Sequence, residues 1–231
     1  MNEARMTIKS IALASALLAL LSSAAYADIV TETYTGTVIG TDYAGYFGAA
    51  GASLTTTYTA TYVFNTGVLG AYNYNNGSTF RTDGGSATNG YPTTPSISAS
   101  LTISDHTFTE AVAGANLGYL LASNISSGYF HTIAEADMSY GELFYNLLYT
   151  QDPSAPYPTS LSSPFSYTYN PVGSSNRYGY FSFGGDSLYL TPDTVTLSDA
   201  VPESSTWAMM ILGFCGLGVI ARRNKAAARF A

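Results

Sequence analysis

The chain has little with which to cross-link itself or to bind anions. It holds one cysteine, Cys215, and eight Lys/Arg against fifteen Asp/Glu in 231 residues. A lone thiol closes no internal disulfide, so stability has to come from packing and hydrogen bonding. The shortage of positive charge is deepest in the middle. Arg5 and Lys9 lie near the N-terminus and Arg222, Arg223, Lys225 and Arg229 near the C-terminus, which leaves Arg81 and Arg177 for residues 28–200. That stretch carries thirteen of the fifteen acidic residues. A surface so acidic repels phosphate backbones and excludes nucleic acid as a partner. Lysine is missing altogether between Asp28 and Ala200, which rules out Schiff-base and Ser-Lys chemistry there.

Other catalytic signatures are equally sparse. The two histidines, His106 and His131, stand in neither HxH nor HExxH spacing, and no GxSxG elbow occurs. No cofactor or metal is expected. The carboxylates Glu135, Asp137 and Glu142 are the candidates for a glycosidase pair. In "YFHTIAEADM" the first two share a strand face with His131, and a solvated face is the favoured reading of them. Asp83 in "DGG" reads as a turn, because its surroundings lack the alternating oxygen ligands of a calcium loop. Asp42 opens "GTDYAGYFGAAGASL", a glycine-permitted loop between two strands. A carbohydrate or calcium role for Asp42 finds no second carboxylate nearby in sequence.

What the middle does have is β pattern. "SISASLTIS" sets Ile97, Ala99, Leu101 and Ile103 on one face against Ser98, Ser100 and Thr102. "TTTYTATYVF" sets Tyr58, Ala60, Tyr62 and Phe64 against Thr57, Thr59 and Thr61, "DTVTLSD" repeats the pattern with Val195 and Leu197, and "YTGTVIG" has β-branched enrichment. "GELFYNLLYT" fits helical spacing through Leu143, Phe144, Leu147 and Leu148, yet its aromatics and shortness favour a strand. Between such runs lie loops dense in Gly, Asn and Pro, and the stretch from Asp152 to Pro164 is expected to be a long mobile loop. The fold class is therefore all-β, an antiparallel sandwich or jelly-roll-like domain over residues 28–200. No fixed period marks a solenoid or propeller. Twenty tyrosines exceed what the core needs, and their rings suit stacking on sugar faces.

The two ends read as processing segments. Residues 1–27 have a basic start, the apolar run "IALASALLALL" and "SSAAYA", in which Ala25 and Ala27 mark a secretory signal cleaved before Asp28. Residues 201–231 begin "VPESSTWAMM". From Trp207 to Ala221 fifteen residues carry no charge, and basic residues follow over 222–229. Such a helix is about 22 Å long against a hydrocarbon core of ~30 Å, and Ser204 to Thr206 can extend it. The positive-inside rule places the C-terminus in the cytoplasm and residues 28–200 outside.

This tail resembles the PEP-CTERM sorting signal, in its PEPxxWA variety, of exported proteins in Gram-negative bacteria. Val201, Pro202 and Glu203 match the motif, Trp207 and Ala208 the start of the helix, and Arg222 and Arg223 its stop, while Ser204 stands where the family has a second proline. The resemblance implies an exosortase partner, Sec export, an inner-membrane intermediate, and an outer-envelope or extracellular destination associated with exopolysaccharide and biofilm matrix. A pattern similar to the Asp42 loop also recurs near the mature N-terminus of such proteins. The same tail is catalogued as an ice-binding protein C-terminal domain. The expectation is a non-enzymatic exported matrix protein. The alternatives are a single-span anchored periplasmic protein, a matrix glycan hydrolase resting on Glu135, Asp137 and Glu142, and an ice binder resting on Thr57, Thr59 and Thr61, a single row too small for an ice plane.

Overall fold

A computed structural model describes residues 29–199, apart from 86–89, 114–115, 126–128 and 139–141. The signal positions Ala25 and Ala27, and the tail positions from Val201 to Arg223, lie outside the described residues. Among the described residues no helix is long and apolar enough to cross a membrane.

Twelve strands follow in chain order: β1 (Ile29–Asp42), β2 (Ala52–Asn65), β3 (Tyr72–Asn75), β4 (Thr79–Gly84), β5 (Ser96–Ile103) and β6 (His106–Ala111), then β7 (Leu117–Ile125), β8 (Tyr129–Met138), β9 (Glu142–Thr150), β10 (Phe165–Thr168), β11 (Ser175–Phe183) and β12 (Asp186–Asp199). All pairings are antiparallel, in one sheet ordered β3-β4-β7-β8-β9-β11-β12-β1-β2-β5-β6. β12 borders β11 over its first residues and β10 over Thr194–Leu197. The expected all-β class is what the molecule has, and the sheet is a single curled one. The segment with helical spacing is strand β9, because β8 and β11 both pair with it and a helix would strand their backbone groups.

The curl brings β1 and β2 over β8 and β9, with the core between. Tyr34, Tyr62, Phe64, Leu101, Phe130, Phe144, Phe181 and Leu197 are fully buried there or nearly so. Each contributes about 2 kcal/mol by leaving water. Three hydrogen bonds cross the core. The Tyr34 hydroxyl donates to Thr132 Oγ1 at 3.0 Å, the Tyr58 hydroxyl donates to Asn146 Oδ1 at 2.6 Å, and Asn146 Nδ2 donates to the Tyr62 hydroxyl at 2.8 Å.

Two bulges adjust the face that each strand presents. Opposite Thr35/Gly36 the register skips Asp193, which lets Pro192 sit in a strand without a ladder N–H. A side chain at Gly36 would place its Cβ 2.0 Å from the Thr191 carbonyl oxygen, so only glycine permits this approach. The second bulge, opposite Val63/Phe64, skips Ile97. Strict alternation put Ile97 inside, yet it is 41% exposed while Ser96 is buried at 3%. The extra residue flips everything on its N-terminal side.

The long loop expected from Asp152 to Pro164 is present and is fastened to the body. Ala155 and Leu161 are buried, the Tyr167 hydroxyl donates to Asp152 Oδ2 at 3.0 Å, and Asn124 Nδ2 donates to the Pro156 carbonyl at 2.9 Å.

Candidate functional site: the outer face of the sheet

Side chains on the outer face form two zones. The first is aromatic. Register puts Tyr119 (β7) beside Glu135 (β8), Glu135 beside Tyr145 (β9), Tyr145 beside Tyr180 (β11), Tyr180 beside Tyr189 (β12) and Tyr189 beside Ile39 (β1). One straight row thus crosses six strands. The Tyr180 and Tyr189 rings stand 5.5 Å apart, and Tyr178 leans against Tyr145 at 5.4 Å with the two hydroxyls 3.4 Å apart. Tyr189 is 66% exposed and Tyr178 46%. Glu135, Tyr145, Tyr178, Tyr180 and Tyr189 line a shallow groove of about 650 Å³, within the usual size of a small-molecule site.

Partial burial, and then the charge of Asp137, push the Glu135 carboxyl above its ordinary value; burial does the same to Asp137. The two arginine ion pairs, Arg81–Asp83 and Arg177–Asp193, and the His106–Asp105 contact leave both carboxylates out among the described residues. The arginines are further engaged by rings: Arg81 lies 4.7 Å from the centre of Tyr119 and Arg177 lies 3.8 Å from that of Tyr169.

The sequence-predicted residues distribute as follows. Glu135, Asp137 and His131 share the outer face of β8 as expected; burial lowers the His131 pKa, and its ring meets Tyr149 edge-on at 5.8 Å. Glu142 does not join them. It pairs with Met138, one position beyond the Asp137–Leu143 pair, and so projects to the opposite side of the sheet. Asp83 is not in a turn. It lies within β4, buried and paired with Arg81. His106 starts β6 beside Asp105.

Asp42 has the second carboxylate that its neighbourhood in sequence lacks. Asp186, from the start of β12, is buried beside it, and burial followed by contacts with Asp42 raises its pKa. Asp42 accepts the N–H groups of Tyr46 and Phe47, each at 2.8 Å, and Asp186 accepts that of Ala44 at 2.9 Å. Three of the four oxygens are therefore spent on the 43–51 loop, where Gly45 and Gly51 take positive φ of 78° and 80°. The pair staples that loop to β12.

The second zone is a hydroxyl lattice. Thr57, Thr59 and Thr61 do not form a single row, because Thr37, Thr35 and Thr33 of β1 stand beside them and Thr191, Thr194 and Thr196 of β12 beside those. The middle row continues through Thr168 on one side and Thr102 and Thr107 on the other, six threonines on six strands. Thr102 and Thr107 bond to each other at 2.8 Å. By register, outward hydroxyls repeat roughly every 4.8 Å across strands and 6.7 Å along them.

Fold and face together define a class: an all-antiparallel β domain whose outer sheet surface presents tyrosine and threonine. Comparison with known protein families, with curated proteins and with solved structures finds no match.

Proposed function

We propose that this is a non-enzymatic exported protein of the cell envelope or extracellular matrix, which contacts polysaccharide through its tyrosine row and is delivered by its PEP-CTERM-like tail to an exosortase. The observation that carries the glycan reading is the in-register run Glu135, Tyr145, Tyr180, Tyr189 along an open groove, with Tyr119 continuing the row on the next strand. Tyrosine faces stack on sugar rings while hydroxyls supply hydrogen bonds, and an open row suits a chain that runs past. Hydrolysis is disfavoured by the same geometry. Glycosidase carboxylates flank the scissile bond, whereas Glu135 and Asp137 sit side by side on one strand and Glu142 faces away.

The test starts with protein recovered from its host's envelope. Its intact mass is expected to correspond to a chain from Asp28 to near Pro202; a species that keeps Trp207–Ala231 in the inner membrane would make the tail a plain anchor. In gels containing matrix polysaccharide the protein is expected to be retarded, and Tyr145→Ala to weaken retardation at least tenfold. Equal mobility of both proteins with and without polysaccharide would end the glycan reading.

A second reading, ice binding, is favoured by the threonine lattice, which sets outward hydroxyls side by side on adjacent strands in place of a single row. Twist of about 20–25° per strand confines its flat part to the three rows of three threonines on β2, β1 and β12. Thermal hysteresis that disappears in Thr35→Tyr is the expected sign of this activity, and its absence in the parent protein would dispose of the idea.

A further inference from the structure

We infer that the tyrosine groove selects a polysaccharide bearing free amino groups, with Glu135 as the counter-charge for one ammonium. This rests on the glycan reading above and adds the class of sugar.

The charge inventory is the first argument. Arg81 and Arg177 are the only strong bases of residues 28–200, and each is already paired with an aspartate and stacked on a ring. Glu135 and Asp137, in contrast, are paired with no cation among the described residues, although they lie two residues apart on one strand face. A uronic-acid or sulfated chain would bring more negative charge to a domain that has thirteen acids already. A polymer with ammonium groups relieves the repulsion instead.

Placement is the second argument. Glu135 occupies the gap in the row, with Tyr119 on the strand to one side and Tyr145 on the strand to the other. The two tyrosine positions are separated by two strand spacings, roughly 9.6 Å, which leaves room for one sugar over the carboxylate. Aromatic faces attract cations as well as sugar rings, so an amino sugar over Glu135 meets a carboxylate below and the Tyr145 ring at its side, while the Tyr119 ring already carries Arg81. Partial burial strengthens the attraction, because a charge pair at a groove floor is screened less than one in open water.

The test uses the full-length protein at fixed pH 6.5 and 150 mM salt, with three hexasaccharide probes: glucosamine, N-acetylglucosamine and galacturonate. Calorimetry is expected to give an affinity for the glucosamine hexamer at least tenfold above that for the acetylated one, and no binding of galacturonate. Glu135→Gln is expected to abolish the difference and leave the acetylated hexamer unaffected, whereas Tyr145→Ala weakens both. Asp105→Asn, an equal charge change at an exposed turn away from the row, should leave the preference intact. If it reduces the preference as much as Glu135→Gln, diffuse charge is responsible and the assignment is overturned. Equal affinity for the two glucosamine forms overturns the amine selectivity and leaves the glycan reading standing. Failure of all three probes to bind removes both.

Discussion

Asn146→Leu is expected to destabilise the fold by roughly 2–6 kcal/mol, seen as a fall in the urea midpoint at unchanged slope. Leucine keeps asparagine's branched skeleton of side-chain heavy atoms and leaves no cavity, so the loss does not come from missing packing atoms. Asn146 is fully buried on β9 and is the shared partner of two tyrosines on the facing strand, accepting from Tyr58 and donating to Tyr62. Removing it leaves two phenolic hydroxyls in a dry core, each costing about 1–3 kcal/mol when unpaired. Neither escapes by ionising, because burial drives both phenol pKa values far upward. The triple variant Asn146→Leu, Tyr58→Phe, Tyr62→Phe should recover most of the loss, since replacing every partner with apolar groups of similar shape comes near to neutral. A single variant within 0.5 kcal/mol of the parent, about the spread of ordinary surface changes, would mean that the three groups do not act as a unit.

The second large effect has the opposite sign. Glu32→Leu is expected to stabilise the protein, and more so as pH rises. Glu32 points into the core from β1 with no exposure, and both carboxylate oxygens lack a hydrogen-bond partner. Burial pushes its pKa well above the usual carboxylate range. The folded state therefore holds a proton that the unfolded chain releases near its ordinary value of about 4.3. The sign follows: Glu32's contribution is most favourable below that value and is lost as pH climbs toward the folded pKa, at about 1.4 kcal/mol per unit. Urea unfolding of parent and variant at pH 5, 6, 7 and 8 should give curves that diverge upward. Parallel curves would show that Glu32 does not hold a proton in the native state.

These two residues also mark what a sequence reader sees and misses. Alternation alone placed Tyr58, Tyr62, Leu101 and Val195 inside, and the structure agrees. It failed at Ile97 because a bulge is a property of two strands, and nothing in "SISASLTIS" announces the skipped residue. It passed over Asn146 in "LFYNLLY", because the tyrosines that need it lie more than eighty positions away. The candidate site was legible only in its ingredients. Abundant tyrosine suggested sugar contact, but that Tyr119, Tyr145, Tyr180 and Tyr189 share one row depends on the register of successive pairings. Asp186 escaped notice beside Asp42 for the same reason, since the loop that joins them in space is closed by β12. Glu142 was grouped with Asp137 by proximity in sequence, and the parity of a hairpin parted them.

The place of β1 in the sheet has a kinetic side. Its partners are β2, which follows directly, and β12, whose Thr194 bonds to Thr35 across 159 positions of chain. Contacts of such separation form slowly, because a long loop must close before any of them is gained. A chain threading outward from its N-terminus presents β1 first and β12 last. One edge of the oldest strand is therefore expected to stay open until the newest arrives, and an open edge is a template for the wrong neighbour. Holding the C-terminal end at the exit point while the two strands zip together would shorten the search and keep that edge from other chains.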